Sequence, residues 1–154
     1  MTFSAVHQDE AARLALLQNT HLLQAEGSEC APAFQALTRM LSRLLQVPAT
    51  AINLIDSHSV QALACTGLSL PPVARNDAPC THLLRTQQPV CVRDLRDDSR
   101  FQHFAANTAL QGMVAYAGVP LWVDGQVLGT VCAFDAQARD WSDEALAHLQ
   151  DVAT

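Results

Sequence analysis

Residues 116–139, YAGVPLWVDGQVLGTVCAFDAQAR, decide the fold of this chain because they predict two β-strands joined by a tight turn. The turn is Asp124-Gly125, a dipeptide that favours the positive backbone angles of a type I′ turn. The flanking runs, 119–123 and 127–134, are apolar almost throughout and do not alternate with polar residues. We therefore expect a hairpin in the middle of a sheet that is covered on both faces.

The composition limits the architecture and the partners. A chain of 154 residues is long enough for one domain with a single good core, and that core must be aliphatic because only 5% of the residues are aromatic. The net charge of −6, with nine basic residues that are all arginine, argues against a nucleic-acid or anionic-membrane surface. Neither a secretory leader nor a run of membrane-spanning length is evident, which predicts a cytoplasmic protein.

The five cysteines form no CxxC pair, so they fit reduced thiols better than a disulfide framework or a structural zinc site. Apolar spacing and turn signals predict the remaining elements. In chain order these are a helix over 8–25, a helix after Pro32, strands over 49–56 and 60–65, a loop over 67–76, a short helix over 80–87 that Asp77 caps, a brief strand over 89–92, a short helix over 100–106 and a helix capped by Ser142.

The two terminal helices carry the organisational predictions. The first has a narrow apolar stripe that includes Leu16 and Leu23, which suits packing against another helix, including one from a second subunit. The last reaches Thr154 without a Gly, Asn or Pro terminator, which predicts that it continues in a longer chain. We expect a homodimer through these terminal helices.

Several segments together carry a family resemblance. They are Pro32 to Val47, AINLID at 51–56, Pro89-Val90 followed by Asp94, DSRF at 98–101, YAGVPL at 116–121, DGQVLGTVCAFD at 124–135 and then Arg139. They cover roughly four-fifths of the chain and resemble a GAF domain of the bacterial subgroup that precedes sensor histidine kinases and diguanylate cyclases. The chain departs from the common family pattern at AEGSECAP, VQALACTGL and APCTHLL, which puts the pocket contents, not the fold, in question.

The resemblance implies an α+β, PAS-like fold with a six-stranded, mostly antiparallel sheet. The terminal and second helices lie on one face, and short helices and loops enclose a cavity on the other. The domain spans 1–154, with an N-terminal helix and connector over 1–27, a core over 28–140 and a C-terminal helix over 141–154 that leads to an effector. Family members hold cyclic nucleotides, haem, bilins, metabolites or no known ligand, so the fold leaves the cofactor unknown.

Five residues are the candidate ligand contacts: Asn53, Cys80, Asp94, Arg100 and Tyr116. Strand alternation turns Asn53 away from the helix-facing Ile52 and Leu54, toward either a ligand or a structural hydrogen bond. Asp94, Asp98 and Arg100 fit loop capping and a charge pair better than direct ligand contact. Tyr116 is the one tyrosine, and its hydroxyl needs a partner if it is buried.

Cys80 is the sharpest chemical candidate because the first turn of a helix favours a thiolate. Its neighbour order, Cys80-Thr81-His82, lacks the adjacent histidine of bilin-binding relatives, so a chromophore is not expected. The other histidines form no metal-ligand spacing, although axial haem ligation by His82 or His103 stays open because one ligand leaves no pattern. No metal site and no catalytic motif is predicted.

The sequence therefore predicts a non-enzymatic sensor domain that binds an unidentified small molecule and signals through its C-terminal helix. Three alternatives remain open. They are a thiol redox sensor through Cys80, an enzyme similar to the free methionine sulfoxide reductases, and a structural dimerisation module without a ligand. The expected reductase pattern of carboxylates and cysteines is not evident in the sequence.

Overall fold

The computed structural model describes residues 3–20, 31–67, 73–74, 80–101 and 112–153. The α-helices of these residues are α1 (Phe3–Thr20), α2 (Ala31–Leu45), α3 (Cys80–Thr86) and α4 (Asp143–Ala153). A 3-10 helix covers Leu95–Asp97, a stretch for which the sequence predicted no helix or strand. The predicted cap Asp77, and most of the predicted helix over 100–106, lie outside the described residues.

The sheet has six antiparallel strands in the order β3-β2-β1-β6-β5-β4. Five longer strands form its body, and a sixth of two residues adds to one edge. The strands are β1 (Ala49–Ile55), β2 (Ser59–Thr66), β3 (Val73–Ala74), β4 (Val90–Val92), β5 (Ala115–Val123) and β6 (Gln126–Asp135). The α+β fold expected from the sequence is confirmed.

The interpretation of residues 67–76 as loop alone was wrong at Val73 and Ala74. These two residues pair with Val60 and Ser59 of β2. The strand begins directly after the tandem prolines and lies at the sheet edge, which is where a strand next to prolines is tolerated.

The β5–β6 hairpin forms as the opening sequence predicts. Asp124 and Gly125 adopt φ of 48° and 77°, which are the two positive angles of a type I′ turn. β6 pairs with β1 on one side and β5 on the other, so the second strand of the hairpin lies at the centre of the sheet.

One face of the sheet is covered by α2 and α4. Ile52, as expected from alternation, belongs to this apolar cluster. The other buried members are Leu41, Leu45, Val47, Ala117, Val119, Val131, Ala133, Ala145, Leu149 and Ala153. The Ser142 hydroxyl accepts a hydrogen bond from the Ala145 N–H at 3.0 Å, so the predicted cap of the last helix is confirmed.

The N-terminal helix α1 packs on the same face, nearer the hairpin turn. Leu17 is fully buried against Leu54 and Leu128, and Leu16 packs beside them. Arg13, one turn earlier, is also buried, and its Nη1 donates to the Ile55 carbonyl at 2.6 Å. The side of α1 expected to contact another helix thus contacts its own sheet, and Leu23 lies outside the described residues.

No described helix is both long and apolar enough to cross a bilayer.

Candidate functional site

The face of the sheet opposite α2 and α4 carries a cluster of buried polar side chains, which we call the polar cluster: Asn53, Tyr116, Thr130 and Cys132. Asn53 is 4% exposed, and the other three are fully buried. β1 and β6 place Asn53 opposite Thr130, and β6 and β5 place Cys132 opposite Gly118, whose neighbour on this face is Tyr116. Strand register therefore assembles this cluster from three strands.

The Cys132 thiol lies at the centre of the polar cluster. Its Sγ is 3.1 Å from Thr130 Oγ1 and 3.3 Å from the Tyr116 hydroxyl, and it accepts from Asn53 Nδ2 at 3.6 Å. Asn53 Nδ2 also donates to Thr130 Oγ1 at 3.4 Å. Burial raises the pKa of the Cys132 thiol, and its three hydrogen bonds offset part of that rise. The thiol is therefore a protonated member of the network at neutral pH.

Tyr116 reaches Cys132 because Gly118 leaves room for its ring. A Cβ at Gly118 would overlap the Tyr116 hydroxyl and lie 3.2 Å from Leu83 of α3. Leu83 is fully buried, so α3 covers the tyrosine from above the sheet. The pocket lining expected of Tyr116 stays a prediction, but its buried hydroxyl has the partner that burial requires.

Apolar side chains surround the polar cluster. Phe134 lies 5.3 Å from Tyr116, ring centroid to ring centroid, and Phe101 is a fully buried member of the same cluster. The remaining members of this apolar cluster are Ala49, Ala51, Leu83, Val90, Val92, Leu95 and Met113, with the half-buried Cys65 beside them. Polar groups that converge within an apolar enclosure are the usual composition of a small-molecule site.

Asp94 caps the 3-10 helix and does not touch the polar cluster. Its Oδ1 accepts from the Arg96 backbone N–H at 3.0 Å and from Arg96 Nε at 2.9 Å, and its Oδ2 accepts from Arg96 Nη2 at 2.6 Å. These hydrogen bonds from Arg96 hold the pKa of the Asp94 carboxyl below its usual range. Capping with a charge pair, the interpretation that the sequence favoured, matches this geometry, although the partner is Arg96.

Arg100 lies outside the polar cluster as well. Its Nε and Nη2 donate to the two carboxylate oxygens of Asp98 at 3.1 and 2.8 Å, and its Cζ lies 5.0 Å from the centroid of the Phe101 ring. The hydrogen bonds from Arg100 lower the pKa of Asp98. The rings of His82 and Phe101 pack nearly perpendicular with their centroids 5.1 Å apart, so Arg100 and α3 border one side of the apolar cluster.

Cys80 is the first residue of α3, as the sequence predicts, and its side chain lies outside the described part of the structure. The pKa of His82 is lowered, first by burial and then by the charges of Arg85 and Arg100. The positive charges of these two guanidinium groups disfavour a cation beside His82. Within the described ranges, no group of three or more potential ligand residues could hold a metal ion.

The structure thus brings together two of the five predicted contacts, Asn53 and Tyr116. It places Asp94 and Arg100 in separate ion pairs at the border of the enclosure. Thr130 and Cys132 are not among the contacts that the sequence predicts. Alternation along VLGTVCAF already put these two residues on one face, but only the β1–β6 register brings Asn53 beside them.

β5 and β6 connect the polar cluster to α4 on the opposite face. Tyr116 and Cys132 face the cluster, whereas their neighbours Ala117, Val131 and Ala133 pack with α4. Because successive strand residues point to opposite faces, a displacement of either strand moves side chains on both sides of the sheet.

Arg139 fixes the segment that leads into α4. Its guanidinium donates to Leu45 O and Gln46 O at the end of α2, each at 3.3 Å, and to Asp135 Oδ2 at 3.2 Å. Its Cζ also lies 4.8 Å from the centroid of the Trp141 ring. The segment that leads into α4 is therefore attached to the end of α2.

Comparison with known families agrees with this architecture. The family model for the GAF domain matches residues 30–154. The chain belongs to the GAF family. Helix α1 lies before the matched region, although it is packed on the GAF sheet through Arg13 and Leu17. A search of curated proteins found no match.

Solved structures of several GAF domains superpose well on this chain. The GAF domain of an Acinetobacter phosphoenolpyruvate-protein phosphotransferase is 16% identical, with a TM-score of 0.69 over 93% of this chain and 89% of that one. A domain from a two-component sensor histidine kinase protein of Sinorhizobium meliloti is 17% identical, with a TM-score of 0.62 over 80% and 84%. The type II free methionine-R-sulfoxide reductase of Thermoplasma acidophilum is 14% identical, with a TM-score of 0.70 over 81% and 87%.

At sequence identities of 14 to 17%, the likeness to these solved structures establishes the fold alone. Family membership supports a domain of the signalling or sensing class.

Proposed function

We propose that this chain is a regulatory GAF domain that senses a small molecule on the α3 side of its sheet and signals through α4. The effector is a domain that follows α4 in a longer cytoplasmic chain, such as a histidine kinase or a diguanylate cyclase. The domain itself catalyses no reaction. The observation that carries the proposal is the alternation in β5 and β6, which joins the polar cluster on one face to α4 on the other.

The polar cluster provides the recognition chemistry. Two hydroxyls, an amide and a thiol lie within one buried patch and are hydrogen-bonded to one another, so a ligand's polar groups can take over these bonds. Arg100, at the border of the enclosure, supplies a positive charge for an anionic group of the ligand. Cys80 and Asp94 complete the proposed contact set from α3 and from the 3-10 helix.

A thermal-shift screen tests this proposal directly. Metabolites and cyclic nucleotides are screened against the chain, and a ligand at a hundred times its dissociation constant adds about 2.7 kcal/mol of stability if it binds only the folded state. We expect the shift to disappear in Tyr116→Phe or Arg100→Ala. It should persist in Cys91→Ser, which changes an exposed thiol on β4.

Two results would contradict the proposed site or function. A confirmed ligand that keeps its affinity in Tyr116→Phe, Arg100→Ala and Asn53→Ala binds elsewhere. A chain that no compound stabilises fits the alternative of a structural module whose polar cluster serves only packing.

The enzymatic alternative is supported by the likeness to the Thermoplasma acidophilum reductase, a likeness of fold. Incubation with free methionine sulfoxide and dithiothreitol, followed by quantification of methionine, distinguishes the two functions. We expect no turnover above that of a heat-denatured sample.

The thiol-sensor alternative depends on Cys80. Full burial raises the pKa of Cys132, and partial desolvation together with the charge of Asp143 raises that of Cys91 even though its side chain is exposed, so both reactive thiolates are disfavoured. Mass spectrometry after brief iodoacetamide labelling at neutral pH reports on Cys80. A faster reaction at Cys80 than at the exposed Cys91 would favour redox sensing.

A further inference from the structure

Helix α1 places a buried arginine at the end of the β1–β6 ladder. The last paired residues of these two strands are Leu54 and Gly129. Just past them, Arg13 Nη1 donates to the carbonyl oxygen of Ile55 at 2.6 Å and to that of Val127 at 3.5 Å. The guanidinium thus bridges β1 and β6 where their own pairing ends.

The other side of the guanidinium is fixed by Glu10. Arg13 Nε and Nη2 donate to the two carboxylate oxygens of Glu10 at 3.0 and 3.1 Å, and the Arg13 side chain is 4% exposed. This two-point pairing sets the plane of the guanidinium, so Nη1 stays directed at the strands. Removing one partner of such a buried group leaves the others unpaired, which is costly. The position of α1 is therefore tied to the ends of β1 and β6.

The bridged strand ends lie next to the polar cluster. Asn53 precedes Ile55 by two residues on β1, and Thr130 follows Val127 by three residues on β6. Asn53 and Thr130 are paired across the ladder, and Asn53 Nδ2 donates to Thr130 Oγ1 at 3.4 Å. A change in the separation of the two strands at this end therefore changes the contacts of the Asn53 amide.

The backbone around Asn53 is sensitive to that separation. On one side, the β1–β2 register shifts between Ile52 and Asn53, so regular pairing with β2 does not fix this position. On the other side, β1 and β6 approach closely at Gly129, where a Cβ would overlap the Asn53 carbonyl oxygen. The end of β1 is also contacted from the opposite layer, because the Ile55 side chain packs with Leu84 of α3.

We infer that Arg13 is a positioning residue for the polar cluster, and that α1 regulates the site by docking through it. With α1 docked, Arg13 holds β1 and β6 at the separation that lets Asn53 reach Thr130 and Cys132. When α1 moves away, the Ile55 carbonyl loses its donor and the cluster loosens. The consequence for a ligand rests on the proposed function: docking of α1 and binding at the polar cluster favour each other by the same factor.

This regulation is a property of the chain ahead of the GAF core. Helix α1 (Phe3–Thr20) precedes residues 30–154, which the family model matches. It makes α1 an input to the site, whereas α4 is the proposed output.

Hydrogen exchange of the full chain without any ligand tests the inference. In Arg13→Gln, the amides of 53–55 and 127–130 should exchange about tenfold faster relative to those of 115–118, because a buried hydrogen bond from a charged group is lost at the strand ends. A merely structural role of Arg13 would lower the stability of the whole domain and speed exchange equally in all strands, so it would leave this ratio unchanged.

Two further variants complete the comparison. Leu149→Ala is the matched control, because it destabilises the domain from α4 without touching the bridge, and it should leave the ratio unchanged. Arg13→Lys keeps one charged donor but cannot pair with Glu10 at two points, so it should raise the ratio by a smaller factor. Arg13→Lys also provides the test if Arg13→Gln does not fold.

The reciprocal effect is measured from the site. Asn53→Ala should speed exchange of the α1 amides at 14–20 relative to those of α4, because coupling between two sites acts in both directions.

Equal acceleration in all strands, or an unchanged ratio in both Arg13 variants, would overturn the inference. Unchanged exchange of α1 in Asn53→Ala would do the same. A thermal-shift screen that finds no ligand would contradict the proposed function and leave these exchange ratios as expected, so the two failures are distinguishable.

Discussion

The two faces of the sheet use the same strands but place their polar groups differently. On the helix face, Thr50 Oγ1 donates to Thr38 O of α2 at 2.6 Å, so a polar side chain attaches a covering helix. On the α3 face, the polar cluster is bonded side chain to side chain, and Cys132 has three such partners. The first arrangement holds a layer in place, whereas the second concentrates exchangeable polar groups under a short helix. This difference is why the site is proposed on the α3 face.

The largest expected effect belongs to the helix face. Leu149→Ala empties a fully buried position between α4 and the sheet and should lower the free energy of unfolding by about 2–5 kcal/mol. Urea denaturation measures the loss. A change below about 1 kcal/mol would mean that α4 is not firmly packed on the sheet.

The next effect tests how tightly the α3 face is packed. Gly118→Ala forces Tyr116 and Leu83 to shift and should cost about 1–3 kcal/mol. Tyr116→Phe in the same chain removes the hydroxyl that the new methyl group meets. The double variant should therefore lose less stability than the two single losses added together. Simple additivity would contradict the contact between Gly118 and the tyrosine.

The raised pKa of Cys132 predicts a pH dependence that belongs to the α3 face. Above the ordinary thiol value of about 9, the unfolded chain releases the proton that the folded chain retains, so stability is lost as the pH rises. The slope can reach about 1.4 kcal/mol per pH unit. Unfolding by urea between pH 8.5 and 10.5 measures it.

Cys132→Ser should reduce that slope because a serine hydroxyl does not titrate in this range. Cys91→Ser is the matched control. The raised pKa of Cys91 also lowers stability as the pH rises, so this variant should lose that contribution to the slope and keep the contribution of Cys132. Equal slopes in the unmodified chain and in Cys132→Ser would show that Cys132 is not buried as described.

The smallest effect isolates one hydrogen bond. Tyr116→Phe removes the contact with Cys132 Sγ and leaves the ring in place, so it should lower stability by about 1 kcal/mol. A thermal melt at pH 7 detects such a change. A variant more stable than the unmodified chain would show that the hydroxyl is poorly satisfied in the folded state.

Local sequence signals predicted the hairpin and the cap of the last helix well. The turn at Asp124-Gly125 depends only on the backbone angles that these two residues favour. Ser142 caps a helix whose N–H donors lie within the next few residues. The boundaries of α2, β1 and β2 were predicted to within a few residues for the same reason. The tandem prolines led to the prediction of a loop where β3 forms. An edge strand of two residues needs few backbone hydrogen bonds, so it can follow directly after prolines.

The candidate site was predicted only in part. Alternation turned Asn53 away from Ile52 and Leu54, and this prediction is confirmed because the latter two pack with the helices. Its hydrogen-bond partner Thr130 is 77 residues away in sequence, and no local pattern identifies it. Asp94 was assigned a capping role, but the neighbouring Arg96 was not recognised as its partner.

The sequence by itself determined the order of the long helices and strands, the central hairpin and the apolar character of both sheet faces, because turn chemistry and side-chain period act over a few residues. Only the tertiary structure decided which polar residues meet. Strand register joins Asn53, Tyr116 and Cys132, and the packing of α1 buries Arg13 against the Ile55 carbonyl. Register and helix docking are set by contacts between distant segments, and those contacts form only when the whole core closes.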